Sequence, residues 1–311
     1  MPCYHPLQVW QRGSERVKFR RPADTTGYKE FKVPCGQCIG CQLEKSRQWA
    51  VRCVHEASLY KDNCFLTLTY DDEHLPSDGS LNHTDMTLFL KRLRESIKPD
   101  KVRYMYCGEY GENTSRAHYH CLCFGYWPKD ARAFKRSASG SMLFRSDSLD
   151  RLWHNGYVLI GDVSFESAAY VARYTMKKQQ PEKKIVTLDT PSGKVSTISS
   201  AYPDKLPPFV CASNRPGIGA AWIKRYLQEV ITDEYRIRSF SGSHMHLSGI
   251  PRYYRKILER DYPDVFKQYK EKIDELILQY ESDPDNNWRR LLVKKDLLLY
   301  RWREQSRDEL S

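Results

Sequence analysis

Two periods of apolar residues run along this chain, and they predict its elements in turn. Over residues 43–60, Trp49, Ala50, Cys53, Val54 and Ala57 fall near one face of a helix. Residues 64–70 are β-branched, aromatic and alternating, the composition of a strand, and Asp71, Asp72 and Pro76 turn it into a loop. Met86, Phe89, Leu90, Leu93 and Ile97 return to helical spacing, with Thr84 as the N-cap and Pro99 as the stop. Residues 102–109 and 118–124 read as strands joined through Gly111, Glu112 and Asn113, a short polar connection that predicts a hairpin. A further strand over 157–163 precedes a helix over 165–179, capped by Ser164 and ended by Pro181. Residues 181–215 are loop-rich, with Pro191-Ser192-Gly193 as a hairpin turn. Helical spacing dominates from Gly219 and is clearest over 263–280 and 288–303.

Strands mixed with helices around a hairpin predict an α+β fold, with helices packed on an antiparallel sheet. Four regions are expected: a cysteine-rich segment with its helix (1–61), a core (62–180), a loop or hairpin insertion (181–215) and a helical C-terminal region (216–311). No internal repeat is evident.

The charge changes the picture. The 311 residues carry 50 Lys and Arg against 39 Asp and Glu, a net +11. Residues 251–311 hold 14 basic and 13 acidic side chains, so nearly all the excess lies before them. A basic body suits a polyanionic partner, because each phosphate it neutralises releases counterions. No run of about 18 apolar residues occurs, so no membrane span is expected. The N-terminus also lacks the apolar stretch of a signal peptide. The ten cysteines are therefore expected to be reduced in a cytoplasm, serving metal or packing rather than disulfides.

The candidate chemistry sits on the hairpin. His118 and His120 are i and i+2 on a strand, so both imidazoles leave the same face, and Glu109 on the partner strand can add a carboxylate. Two histidines and one carboxylate leave metal positions open for a phosphate oxygen. A pair of hydrogen-bonded strand histidines is the alternative. Tyr170 and Tyr174, four apart, share a helix face, with Lys177 and Lys178 beyond them. A phenol with pKa near ~10 needs positive charge or a metal to act as a nucleophile. Two aromatics at that spacing also suit a helix core. Cys35, Cys38 and Cys41 bring three thiols into one loop, which calls for structural zinc with Cys3 as fourth ligand, or His5, Cys53 or His55 in its place. An iron–sulfur cluster and free thiols are the alternatives. Cys64, Cys107, Cys121, Cys123 and Cys211 are assigned to the core. A second pair, His244 and His246, lies beside Ser241, Gly242 and Ser243 and is assigned to a loop. Residues 215–219 (Arg-Pro-Gly-Ile-Gly) read as a plain helix start, with a phosphate held by their backbone N–H groups as the other possibility.

Taken in order, the strand Phe65 to Tyr70, the His118-Tyr119-His120 triplet and the Tyr170 to Lys178 helix resemble motifs I, II and III of the HUH endonucleases. They are most similar to the replication initiators of microviruses, the small single-stranded DNA phages, and among them the gokushovirus-like group. Residues 34–41, 47–50, 108–112 and 215–219 agree with that family, and the resemblance spans roughly residues 1–225. It implies a five-stranded antiparallel sheet flanked by helices. It also implies Mg²⁺ or Mn²⁺ on His118, His120 and Glu109, and attack by Tyr170 or Tyr174 giving a 5′-phosphotyrosine and a free 3′-OH. Lys177 would steady the metal or the phosphate, while Arg116, Arg173, Lys178 and Arg215 would meet DNA. Tyr119 stands where the family has a bulky aliphatic and is expected to face outward.

The implied function is nicking and rejoining at a viral origin, on single-stranded DNA and the double-stranded replicative form, in the cytoplasm of a bacterial host. No G-x-x-x-x-G-K-[ST] loop is found, so a host helicase and polymerase are the expected partners. A transposase or relaxase with the same chemistry, or a non-catalytic zinc protein that binds nucleic acid, are the competing readings.

Overall fold

Residues 63–70 form a strand whose even-numbered side chains are buried and whose odd-numbered ones are half-exposed, the period-two pattern of their sequence. This strand lies inside a mixed helix-and-sheet architecture. The computed structural model describes residues 3–111, 114–137, 140–177, 183–190, 193–200, 205–233, 235–241 and 244–308. In chain order its elements are β1 (Leu7–Gln11), β2 (Lys29–Val33), α1 (Ile39–Ala57), β3 (Asn63–Tyr70), α2 (His83–Ser96), β4 (Arg103–Tyr110), β5 (Ala117–Phe124), β6 (Arg132–Arg136), β7 (Met142–Arg145), α3 (Asp147–Trp153), β8 (Gly156–Gly161) and α4 (Phe165–Lys177). There follow β9 (Lys183–Thr190), β10 (Gly193–Ser200), β11 (Phe209–Ala212), α5 (Ala220–Arg225), α6 (Leu227–Thr232), β12 (Arg236–Ser241), β13 (His244–Gly249), α7 (Arg252–Asp261), α8 (Pro263–Ser282) and α9 (Trp288–Asp308).

The chain divides into two units, Ser46–Asp261 and Met1–Lys45 with Tyr262–Ser311. In the first, an antiparallel sheet runs β11-β4-β5-β3-β8-β7-β6. It has seven strands where five were expected. The four-residue β11 extends one edge beside β4, and the β6–β7 hairpin extends the other. The central strands of the sheet are covered on both faces. Leu66, Leu68, Tyr119, Cys121, Cys123 and Ile160 pack beneath Met86, Phe89 and Leu93 of α2 and Leu149 and Trp153 of α3. On the other face, Met105, Cys107, Leu122 and Phe124 meet Ala50 and Cys53 of α1 and Ala168, Val171 and Ala172 of α4. The second unit holds the β1–β2 hairpin, α8 and α9. Among the described residues no helix is long and apolar enough to cross a membrane.

Three local expectations are corrected. Asn82, not Thr84, caps α2: its side chain accepts the Thr84 N–H at 2.8 Å. His244 and His246 lie on β13, hydrogen-bonded to β12, rather than in a loop. Tyr119 does not face outward. Its ring is fully buried, and its hydroxyl accepts the Asn82 N–H at 2.7 Å and meets the Tyr70 hydroxyl at 2.9 Å.

The turn before α5 has its backbone donors committed. The Gly217 N–H donates to the Tyr253 hydroxyl at 3.0 Å and the Gly219 N–H to Glu56 Oε2 at 2.6 Å, so neither is offered to a phosphate. Gly219 has φ +81°, and a Cβ there would lie 2.2 Å from the Tyr254 hydroxyl. Gly219→Ala should therefore destabilise the chain by about 2–4 kcal/mol, through backbone strain and the clash together. A urea midpoint equal to wild type would refute this.

Candidate active site

The register of the β3, β4 and β5 ladder assembles the site. Glu109 on β4 is directly opposite His118 on β5, and Thr67 on β3 is opposite His120. Directly opposed residues share a face of the sheet, so the carboxylate and both imidazoles project together. The face is the one beneath α4, whose Tyr170 ring centroid lies 5.0 Å from that of His120.

All contacts converge on a single oxygen. Glu109 Oε1 lies 2.9 Å from His118 Nε2 and 2.8 Å from His120 Nε2, and it accepts the Tyr170 hydroxyl at 2.7 Å. The outer ring nitrogens are held as well. His118 Nδ1–H donates to the Arg116 carbonyl at 3.1 Å, and His120 Nδ1 shares a hydrogen bond with Thr67 Oγ1, also at 3.1 Å. Phe65 stacks on His120 with a centroid separation of 5.3 Å. Such outer partners fix ring orientation and leave the Nε2 atoms aimed inward.

The electrostatics follow from burial against pairing. Burial pushes the Glu109 carboxyl up, but hydrogen bonds from His118 and His120 outweigh it and hold the group down to about 2. Burial also pulls His118 down, yet its bond to Glu109 leaves it above the ordinary histidine value. The more deeply buried His120 is pulled below that value in spite of the same carboxylate. The three ligand atoms lie within 4.8 Å of one another. Metal bonds of ~2.0–2.1 Å in an octahedral shell set neighbouring ligands ~3 Å apart, so the donor set and its spacing suit a small divalent cation.

A family model described as Replication-associated protein ORF2/G2P matches residues 63–179, the stretch holding all four of these side chains. Replication-associated protein VP4 of Bdellovibrio phage phiMH2K is 31% identical over 280 residues, covering 88% of this chain and 82% of that protein. The chain belongs to the microvirus-like phage replication-associated proteins. Replication-associated protein ORF2 of Spiroplasma virus 4 is 30% identical over 296 residues, covering 88% of this chain and 87% of its own. Replication-associated protein ORF4 of Chlamydia phage 1 is 29% identical over 259 residues, covering 79% and 59%. No solved structure matches the chain.

Other expected site residues of this replication-associated protein fall as follows. Tyr174 and Lys177 lie on α4, but their side chains, and all of Lys178, are outside the described residues. Arg173 is exposed, its guanidinium 5.8 Å from the Tyr170 ring centroid. Arg116 is tied to the end of β3, through Asp72 Oδ1 at 2.8 Å and the Tyr70 carbonyl at 2.9 Å. Arg215 is exposed at the opposite end of β4 from Glu109. There it lines a cavity of about 860 Å³ with Arg94, Lys101 and Tyr104. Thr67 and the Arg116 carbonyl were not foreseen as partners of the histidines. The alternation that predicted β3 puts Thr67 on its odd-numbered face, and only the register across strands adds that it meets His120.

The cysteine-rich segment forms a second possible metal centre. The Sγ atoms of Cys3, Cys35, Cys38 and Cys41 lie within 4.8 Å of one another. The rivals for the fourth position are engaged elsewhere: Cys53 Sγ is buried 3.3 Å from Met105 Sδ, and His55 bonds to the Tyr254 hydroxyl and the Arg238 carbonyl. His5 Nε2 lies 3.5 Å from Lys295 Nζ. Among the cysteines assigned to packing, Cys64, Cys107, Cys121 and Cys123 are fully buried and Cys211 is half-buried.

Proposed function

We propose that this protein initiates phage replication by nicking single-stranded DNA at the viral origin through tyrosine attack, and later rejoins the product circle. The observation that carries the reading is the Tyr170 hydroxyl, which donates to the same Glu109 oxygen that meets both histidine Nε2 atoms. A phenol, two imidazoles and a buried carboxylate in mutual contact, under a helix on an antiparallel sheet, are the parts an HUH nuclease needs.

Glu109, His118 and His120 would hold Mg²⁺ or Mn²⁺, which when bound polarises the scissile phosphodiester and offsets transition-state charge. The remaining chemistry belongs to the chain. Attack by Tyr170 or Tyr174 forms a bond from the phenolic oxygen to phosphorus while the P–O3′ bond breaks. The 5′ side stays as a phosphotyrosine and the 3′ side leaves as a hydroxyl able to prime synthesis. Glu109 Oε1, already accepting the Tyr170 hydrogen, orients the hydroxyl, and the phenolic proton ends on the departing 3′ oxygen. A second tyrosine one helical turn away gives the return attack that closes the circle. The four cysteines would hold structural Zn²⁺, and host helicase and polymerase would act on the opened origin in the host cytoplasm.

The test is cleavage of a labelled origin strand with Mn²⁺, scored as a covalent protein–DNA adduct on a denaturing gel. The adduct is expected to vanish in His118→Ala and in Tyr170→Phe/Tyr174→Phe, with the single tyrosine variants ranking the two nucleophiles. DNA binding on candidate origins with no adduct in any of them would favour a non-catalytic binding protein instead.

A further inference from the structure

The row of residues that contains His118 does not end at the metal ligands. Thr69 on β3 pairs with His118 on one side and with Tyr157 of β8 on the other. Directly opposed residues share a face, so Tyr157 lies on the face of His118 and Glu109, two strands and ~10 Å from His118. Phe144 pairs with Ile160, which sets Arg145 beside Leu159 on this same face. The Arg145 guanidinium stands 5.3 Å from the Tyr157 ring centroid and 5.7 Å from that of Phe134 on β6, and Lys135 Nζ is also 5.7 Å from Phe134. Asp150 holds Arg145 in place through a 2.6 Å ion pair.

This end of the face is open. α4 packs on β11, β4 and β5. Tyr157 is 55% exposed and Phe134 54% exposed, and every residue of β6 is exposed. Charges alone would protect an edge strand from pairing with another chain. That role does not require two large aromatic rings presented to solvent on either side of an arginine. Exposed rings interleaved with cations are what a sequence-tolerant single strand recognises, because every base has a face to stack.

We propose that Tyr157, Arg145 and Phe134 form the platform on which bases flanking the scissile phosphate stack, leading single-stranded DNA across the sheet to the His118–His120 site. The proposal rests on the nicking reading for its direction, and on the exposed aromatic row for its ligand. Lys135 and the outer edge of Arg145 meet the backbone phosphates, while the rings carry the bases.

The probe is a fluorescein-labelled oligothymidine of about 20 nucleotides, longer than the ~16-nucleotide upper site size of comparable surfaces. Its fluorescence anisotropy would be followed with the full-length chain. Tyr157→Ala and Phe134→Ala should each weaken binding by about tenfold with an unchanged salt dependence, since stacking rather than a phosphate contact is lost. Tyr157→Trp should bind like wild type, and so should Trp288→Ala, which removes a still more exposed ring on α9. Thermal melting of each variant checks folding. Wild-type affinity in both alanine variants would overturn the platform, as would failure of the wild type to bind the oligomer. Origin-strand adduct formation separates the two readings. A weakened oligothymidine complex without any wild-type adduct keeps the platform and sinks nicking; a normal adduct with unchanged oligothymidine binding does the reverse.

Discussion

Glu109→Gln should reduce origin-strand adduct formation by at least about 10³-fold while leaving the chain folded, because one neutralised oxygen serves three partners at once. In the native site Oε1 faces His118 Nε2, His120 Nε2 and the Tyr170 hydroxyl within 2.9 Å. Glutamine keeps the shape but removes the charge. If its oxygen takes the place of Oε1, a divalent cation loses its only anionic ligand among these three residues, and the Tyr170 hydroxyl loses its charged hydrogen-bond acceptor. If its NH₂ turns there instead, donors face donors on both imidazoles. Either orientation also removes the partner that holds His118 above its ordinary value. Mn²⁺ titration calorimetry should show affinity falling alongside the adduct. A glutamine variant that forms adduct at a rate near wild type would take Glu109 out of the chemistry.

How far this site was legible depends on parity. The i, i+2 spacing of His118 and His120 sets them on one face of any strand, and a tight hairpin brings Glu109 opposite, so sequence alone could assemble that trio. The same parity sends Tyr119 to the opposite face. That face proved to be core rather than solvent, since β5 is buried on both sides by helices and six of its last six side chains are buried. A strand covered twice loses the polar alternation that would have announced it. The edge strands failed for the converse reason. β6 is exposed throughout and reads as polar, β11 is four residues inside a loop-rich stretch, and β13 exposes Met245 and Leu247. Each is strand by virtue of a partner, not of its own pattern. The exposed Tyr157–Arg145–Phe134 row draws on three strands and is invisible until they are in register.

Cys38→Ser should strip the chain of bound zinc and unfold the cysteine-rich segment, because structural zinc contributes on the order of 10–16 kcal/mol to small metal-held folds. The four thiols are already arranged for a cation. The Cys35 N–H points at Cys3 Sγ at 3.2 Å, the Cys38 N–H at Cys35 Sγ at 3.3 Å, and the Tyr4 N–H at Cys38 Sγ at 3.4 Å. Burial alone would push the Cys38 thiol up, but the backbone N–H groups of Cys41 and Tyr4 overcome it and bring the group down to about 7. A thiolate is therefore within reach at neutral pH for one member, whereas burial holds Cys3 and Cys41 above the ordinary thiol value. Four thiolates so close repel one another unless a cation replaces their protons, so zinc binding and ordering of this segment would be one event. Elemental analysis should find zinc in the wild type and none in Cys38→Ser. Limited proteolysis should open the variant between residues 3 and 45 while fragments of the Ser46–Asp261 unit persist. Zinc retained with unchanged protease resistance would dismiss the site, and a visible absorbance band would put an iron–sulfur cluster in place of zinc.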